Sequence, residues 1–194
     1  GLGVTADAQQ LVQLTPDAAL LPPGFSYHTF DLQWDGAFGP GTHWISSEVA
    51  VVLTHPAIAF HQAQGGDTLS QLLPPTPSEV LTGSALEWDT FLAGPLSFPN
   101  VTDDPLHQPP GILPQFTTVR SQLLESLWFA PLSAQPMPYT IARFTIRGPL
   151  GLELTLQDTG LPGATLLGQT VTNPPQGGGL WPFFATIYAV PEPA

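Results

Sequence analysis

Histidines and closely spaced carboxylates are the side chains of this chain that could bind a metal ion or transfer a proton. The five histidines are His28, His43, His55, His61 and His107. Two ligands share one face of a strand when they are two residues apart, and one face of a helix when they are four apart. No two of these histidines have either spacing, so the sequence predicts no metal site.

Three pairs of acidic residues are close in sequence: Asp31 with Asp35, Glu87 with Asp89, and Asp103 with Asp104. A glycosidase needs two carboxyl groups about 5 to 9.5 Å apart across a sugar cleft. Glu87 and Asp89 would meet that distance on one strand face, although a solvated strand face explains the same pair. Asp103 and Asp104 lack the regular series of oxygen ligands found in a calcium loop. We therefore predict neither a hydrolase site nor a calcium site.

The chain lacks the residues that nucleophilic catalysis and phosphate-binding loops require. The chain contains no cysteine and no lysine, which excludes thiolate ligands, disulfides, Schiff bases and the lysine of a phosphate-binding loop. The Gly-x-Ser-x-Gly motif of a serine nucleophile is also missing. The sequence thus predicts a protein that is not an enzyme, with no catalytic residue and no cofactor.

Composition excludes two classes of partner. The 194 residues are 42% hydrophobic but only 9% charged, and the net charge at pH 7 is -12. The only cations besides histidine are Arg120, Arg143 and Arg147. Nucleic acids and anionic membranes both require a basic surface, so we predict neither partner. No stretch reaches the roughly 18 consecutive apolar residues of a membrane span.

A surface this poor in charge must be covered by Thr, Ser, Gln, Gly and Pro, which suits protein–protein contacts or attached glycans. Asn100 begins the sequon Asn100-Val101-Thr102 in a proline-rich loop. Candidate acceptors of O-linked glycans are Thr76, Ser78 and Thr15, each next to proline. We predict glycosylation at one or more of these four residues.

Short apolar or alternating runs separated by proline and glycine dominate the chain, which is typical of strands and turns. The predicted strands cover residues 25–34, 42–54, 58–60, 85–93, 139–147, 150–157, 164–172 and 180–190, and long loops cover 64–77 and 98–114. The segments 8–14 and 116–130 bring the count to nine or ten strands. We predict a single all-β domain over 1–194, a two-sheet sandwich of the jelly-roll or immunoglobulin/cohesin-like type.

Four segments carry more specific expectations. The centre of 42–54 is apolar at successive positions, which predicts a central strand covered on both faces. Residues 150–157 alternate without a break, which predicts one buried face of leucines, from Leu150 to Leu156. Residues 116–130 are ambiguous, because 121–127 could form a helical turn whereas 127–129 favour a strand. Residues 1–16 contain either a first strand or a free arm that pairs with a neighbouring subunit.

The terminal strand ends in Val190-Pro191-Glu192-Pro193. A final core strand followed by this motif resembles the C-terminus of the PEP-CTERM family of exported bacterial proteins. Looser similarities, at Phe30-Asp31-Leu32 and in the segments 87–91 and 139–146, resemble secreted members of that family with cohesin-like or immunoglobulin-like sandwiches. The resemblance implies secretion and a location at the cell surface or in the extracellular matrix. It implies no catalytic activity.

In the family this motif precedes a membrane helix and a basic cluster, which a protease removes. The chain ends at Ala194 instead, and it begins with Gly1 rather than Met, so we expect a product processed at both ends. Residues 190–194 would then be the remainder of a sorting tail.

These expectations converge on a secreted structural subunit of an extracellular fibre, sheath or biofilm matrix. Self-association through a terminal strand is the expected mode of assembly. The candidate contact residues are Leu11, Val12, Leu14, Phe183, Ile187 and Val190. The alternative is a carbohydrate-binding or adhesion module, possible because the chain has five Trp and eleven Phe. An exposed aromatic row would favour that alternative, whereas aromatics that fill the core would not.

Overall fold

The computed structural model describes residues 9–34, 43–61, 85–92, 116–120, 123–129, 139–173 and 180–190. These ranges contain eleven strands and two short 3-10 helices, Ala18–Leu20 and Ala85–Trp88. The strands form two antiparallel sheets around one core. The prediction of an all-β, two-sheet sandwich is confirmed, with one strand more than the upper count.

One sheet has five strands. They are β1 (Gln9–Leu14), β2 (Phe25–Trp34), β8 (Tyr139–Pro149), β4 (Ala59–Phe60) and β5 (Phe91–Leu92). The order is β1-β2-β8-β4, and β5 also pairs with β8. Strand β1 is therefore an edge strand, and the segment 9–14 pairs with β2 of its own chain.

The second sheet has six strands. In their order across the sheet they are β6 (Phe116–Arg120), β7 (Leu123–Phe129), β3 (His43–Leu53), β10 (Leu161–Asn173), β11 (Leu180–Val190) and β9 (Glu153–Thr155). The two longest pairings join β10 to β3 and to β11. The ambiguous segment 116–130 contains two strands, and residues 123–127 are extended rather than helical.

The core lies between the sheets and is built from alternate residues of the paired strands, because successive side chains of a strand point to opposite faces. The five-stranded sheet contributes Phe30, Leu32, Phe144, Ile146 and Phe60, and the six-stranded sheet contributes Val49, Val51, Leu53, Leu154, Leu166 and Ile187, all of them buried. Burial of this apolar surface is the main favourable term in folding.

Two side chains of the five-stranded sheet hydrogen-bond to backbone that leads into or belongs to β9. Gln13 on β1 donates to the Leu154 carbonyl at 2.8 Å, and the His28 ring on β2 lies 3.0 Å from the Leu152 carbonyl. These bonds connect the short strand β9 and the residues before it to β1 and β2.

The outer face of the five-stranded sheet holds a buried ion pair. Asp31 and Arg143 are paired across β2 and β8, with Nε–Oδ1 and Nη2–Oδ2 distances of 2.7 and 2.8 Å. The Arg143 guanidinium also donates to the Glu87 carbonyl at 2.6 Å and lies over the Trp88 ring. The 3-10 helix Ala85–Trp88 thus covers this face, and one of the three arginines is engaged inside the protein.

Strands β4 and β5 are two halves of one edge, because both pair with β8, at residues 146–147 and 142–143. His61 follows β4 directly, and Thr90 directly precedes β5. The Thr145 carbonyl accepts bonds from the His61 N–H at 2.7 Å and the Thr90 hydroxyl at 3.1 Å. The same hydroxyl accepts the Thr145 N–H, and the Thr90 N–H reaches the His61 carbonyl. We call this set of bonds the His61–Thr90 clasp.

Three sequence predictions are corrected by the fold. Residues 85–93 are not one strand, because Arg143 captures the Glu87 carbonyl and the segment turns as a 3-10 helix before β5. Leu150 is not on a buried face: it is 68% exposed in the turn after β8, and only Glu153–Thr155 is a strand. Strand β3 is not covered on both faces, because Val52 is 41% exposed.

Candidate functional site

The longest uncovered backbone in the described part of the chain lies along β11. Strand β10 pairs with β11 from Leu180 to Ala189, whereas β9 pairs only with Tyr188, Ala189 and Val190 on the opposite side. No described strand pairs with residues 180–187 on that second side. We call this side of residues 180–187 the open edge.

The open edge contains no charged residue, since its sequence is Leu-Trp-Pro-Phe-Phe-Ala-Thr-Ile. Natural sheets protect their edges with charged side chains, lysine above all, or with proline and bulges. Pro182 is the single such device along this stretch, and the chain has no lysine to offer. The other long edge, β1, has the sequence Gln-Gln-Leu-Val-Gln-Leu and is equally uncharged.

The predicted subunit-contact residues lie on these two edges, but several of their side chains point inward. Ile187 is fully buried, and Phe183 and Leu11 pack against the core of their own chain. Val12, Leu14 and Val190 are half-buried. What the edges present to a neighbouring molecule is therefore mainly backbone N–H and C=O groups.

The outward face of the six-stranded sheet is apolar at its centre. Ala50, Leu167 and Phe184 are cross-strand neighbours on β3, β10 and β11. Leu167 is 59% exposed and Phe184 is 67% exposed. The next row of the same face consists of Glu48, Gln169 and Pro182. We call these two rows the outer face of the six-stranded sheet.

A cleft of about 320 Å³ lies between the two rows, lined by Glu48, Val49, Ala50, Leu167, Gly168, Gln169 and Pro182. Val49 points into the core, so it contributes backbone to the floor of the cleft, as does Gly168 beside it. A Cβ at Gly168 would overlap the Glu48 carbonyl and the Phe183 ring. A larger residue at Gly168 would therefore displace these neighbours.

His61 is buried against the edge of the Tyr27 ring, with 5.0 Å between the ring centroids. Its Nε2 has no hydrogen-bond partner among the described residues. Burial, reinforced by the nearby positive charge of Arg147, lowers the pKa of His61 from 6.5 to about 4. Arg147 itself lies over the Phe25 ring at 4.9 Å. His61 is thus a neutral packing residue at neutral pH.

Burial also shifts the pKa values of two neighbours on β2. It lowers the pKa of His28, and the hydrogen bond to the Leu152 carbonyl and the charge of Glu153 oppose that shift. It raises the pKa of Tyr27, against the charge of Arg147. His28, Tyr27 and His61 therefore serve packing and hydrogen bonding. Among the described residues, no group of three or more His, Cys, Asp or Glu side chains could hold a metal ion.

The carboxylate pairs are not arranged as the sequence suggested. Glu87 and Asp89 do not share a strand face, because Glu87 belongs to a 3-10 helix and Asp89 is buried in the bend that follows. Asp31 is paired with Arg143. Asp35, Asp103, Asp104 and His107 lie outside the described residues, and of His43 only the backbone is described.

The predicted modification and sorting residues are mostly outside the described ranges. Asn100, Thr76 and Ser78 fall there, as do Pro191, Glu192 and Pro193. Thr15 is exposed directly after β1, and Val190 is the last residue of β11. No helix in the described ranges is long and apolar enough to cross a membrane.

No model of a protein family matches the chain, and no curated protein matches it. The resemblance of Val190-Pro191-Glu192-Pro193 to a sorting motif therefore stays a prediction.

Neither the cleft nor the His61–Thr90 clasp was predicted from the sequence. Glu48 and Gln169 are 121 residues apart, and only the register of β3 with β10 brings them together. A usable signal was present in β10, where Leu166 and Leu167 are adjacent, so one of them has to face outward.

Proposed function

We propose that this protein is a secreted structural subunit that assembles edge to edge into an extracellular fibre or sheath. The observation that carries the proposal is the open edge of β11, which is long, apolar and uncharged. Such an edge is a template for strand addition, because each new strand satisfies its unpaired N–H and C=O groups.

The two ends of the six-stranded sheet make this assembly directional. Strand β6 lies at one end, and the open edge lies at the other, beside β9. Pairing of β6 of one copy with the open edge of the next would continue the sheet from molecule to molecule. This contact is heterologous, and it produces a filament unless the rotation between copies closes a ring.

Charge and composition support the same proposal. A copy carrying a net charge of -12 repels another copy over most of its surface. Residues 180–187 of the open edge carry no charge, so pairing at this edge adds no repulsion between charged side chains of these residues. The proposed location outside the cell rests on the Val190-Pro191-Glu192-Pro193 resemblance, and a covalent glycan coat would suit the charge-poor surface.

The test places a charge on the edge and compares it with the same charge one strand away. Thr186 on β11 and Thr165 on β10 are cross-strand neighbours, and both are half-buried. Thr186→Lys places a lysine on the open edge, where a charged side chain opposes the addition of a strand. Thr165→Lys places the same charge on a central strand. We expect fibres from the natural sequence and from Thr165→Lys, and folded monomers from Thr186→Lys, by negative-stain electron microscopy and sedimentation velocity.

Two outcomes would contradict the proposal. Monodisperse monomers of the natural sequence at every salt concentration would leave no role for the edge. Equal fibre formation by both variants would mean that the copies join elsewhere. Discrete dimers would instead indicate that two open edges pair with each other about a two-fold axis.

A further inference from the structure

The cleft in the outer face of the six-stranded sheet combines an apolar wall with a polar one. On one side lie Ala50 and Leu167, with Phe184 next to Leu167 in the same row. On the other side Glu48 and Gln169 face each other across β3 and β10. Its volume of about 320 Å³ is that of a small-ligand site.

The polar wall has hydrogen-bonding capacity left over. Gln169 Nε2 donates to Glu48 Oε2 at 3.0 Å. That bond uses one of the two amide hydrogens and one carboxylate oxygen. The pair can therefore still accept at Glu48 Oε1 and Gln169 Oε1, and it can donate one N–H. Two adjacent acceptors with a donor beside them match neighbouring hydroxyl groups, which both donate and accept.

We infer that the cleft binds a neutral saccharide unit of a polysaccharide. A pyranose ring presents C–H groups on its faces, which suit Leu167 and Phe184, and hydroxyls on its rim, which suit Glu48 and Gln169. A purely apolar ligand would cover the Glu48 carboxylate without hydrogen-bonding to it, at a cost in free energy.

Charge decides which saccharides fit. Among the described residues that line the cleft, Glu48 carries the single formal charge, and the whole chain carries a net charge of -12. Uronic-acid polymers and sulfated polymers would be repelled by both. A second copy seated face to face would bring another carboxylate to this small surface. A neutral polymer meets none of this repulsion.

This inference does not rest on the proposed assembly, because pairing at the open edge would use the backbone N–H and C=O groups of residues 180–187, whereas the cleft uses outward side chains, of which those of Pro182 and Phe184 belong to the same stretch. Pairing at the edge leaves the outer face of the sheet uncovered. The cleft is therefore tested in the natural sequence with all polymers, and in the full-length Thr186→Lys variant with the neutral polymers alone, because the added lysine lies on the outer face two residues from Phe184.

The experiment is native affinity electrophoresis, which suits a protein with a pI near 4.3. Gels contain dextran, laminarin or hydroxyethyl cellulose as neutral polymers, and alginate as the uronate polymer. Glu48→Ala removes the carboxylate of the polar wall, and Leu167→Ala removes the leucine side chain of the apolar wall. The matched control is Glu153→Ala, which removes an exposed carboxylate of β9 outside the cleft. Thermal unfolding checks that each variant is folded.

We expect retardation by at least one neutral polymer and none by alginate. Glu48→Ala should weaken binding about tenfold or more, since a charge-assisted hydrogen bond is lost. Leu167→Ala should also weaken it, whereas Glu153→Ala should not.

Three results would overturn the inference: no retardation by any neutral polymer, equal retardation by alginate, or binding that both cleft variants retain. If the natural sequence forms fibres that the Glu48→Ala and Leu167→Ala proteins do not form, the face is a contact between copies and not a saccharide site.

Discussion

His61 ties the stability of the fold to pH. Its imidazole is buried beside Tyr27 and close to Arg147, and its folded pKa of about 4 lies below the ordinary value of 6.5. The neutral form therefore favours folding. Its contribution is fully present above about pH 6.5 and is lost as the pH falls to about 4. A shift of this size corresponds to about 3 kcal/mol at most.

The comparison is with His61→Phe, which keeps an aromatic ring against Tyr27 and removes the titrating group. We expect the free energy of unfolding of the natural sequence to fall relative to that of the variant between pH 6.5 and pH 4, by up to about 3 kcal/mol. Urea titrations at several pH values measure the difference. Parallel pH profiles for the two proteins would show that His61 does not titrate in this window.

The ion pair between Asp31 and Arg143 could not be predicted from the sequence. The sequence marked Asp31 as part of an acidic pair with Asp35, but the register of β2 with β8 places Arg143 opposite it. Two parallel N–H···O bonds of 2.7 and 2.8 Å fix that partnership. The pairing depends on residues 112 apart in the chain, so no local pattern could have predicted it.

At the scale of elements, the edge of β8 depends on one hydroxyl group. Thr90 Oγ1 lies 3.1 Å from both the N and the O of Thr145, where neither β4 nor β5 supplies a strand partner. Thr90→Val keeps the shape and removes the hydroxyl. The buried Thr145 N–H would lose this acceptor, so we expect a loss of about 1 to 3 kcal/mol in the free energy of unfolding.

Denaturant unfolding measures that loss, and amide hydrogen exchange at Thr145 should become faster in the same variant. Thr165→Val is the control, because that threonine faces outward from β10 and its change should leave the stability within about 0.5 kcal/mol. Unchanged stability and unchanged exchange at Thr145 in Thr90→Val would mean that another group holds this edge.

Strands that are long and clearly bounded were predicted well. The segment 180–190 agrees with β11 at both ends, because its aromatic and β-branched run is framed by Gly177-Gly178-Gly179 and Pro191. The segment 25–34 agrees with β2 in the same way. The segment 85–93 failed because two tertiary contacts, from Arg143 and from Thr145, outweighed its strand-like composition.

Faces were harder to predict than strands. The leucine alternation of 150–157 suggested one buried side, yet the chain turns at Leu150-Gly151 and only Leu154 is fully buried. In β3 the apolar run was assigned two covered faces, whereas Val52 is exposed. Which side of a strand is covered depends on what packs against the sheet, and a single sequence does not encode that neighbour locally.

At the scale of the whole molecule, charge should control assembly. Copies with a net charge of -12 repel each other, and the range of that repulsion falls from about 30 Å at 0.01 M salt to about 8 Å at 0.15 M. We therefore expect fibre formation to be faster, and to begin at lower protein concentration, in 0.15 M sodium chloride than in 0.01 M. Light scattering follows the time course, with sucrose of equal osmolality as the control.

Assembly that weakens as salt rises would contradict this expectation, because it would mean that opposite charges join the copies. The composition made the direction of the effect predictable, since net charge needs no structure. For the proposed contact we favour the open edge of β11 over the edge strand β1, because its side without a described strand partner, residues 180–187, is longer than Gln9–Leu14.

The His61–Thr90 clasp has a consequence for how this chain can change in evolution or by engineering. The two residues are bonded to each other and to Thr145, so both ends of the segment between them are fixed on the edge of β8. Doubling a flexible loop costs only about 0.6 kcal/mol in closure entropy. We therefore expect a peptide inserted between His61 and Ala85 to leave the register of the sheet unchanged, because the clasp would still fix both ends of the longer segment.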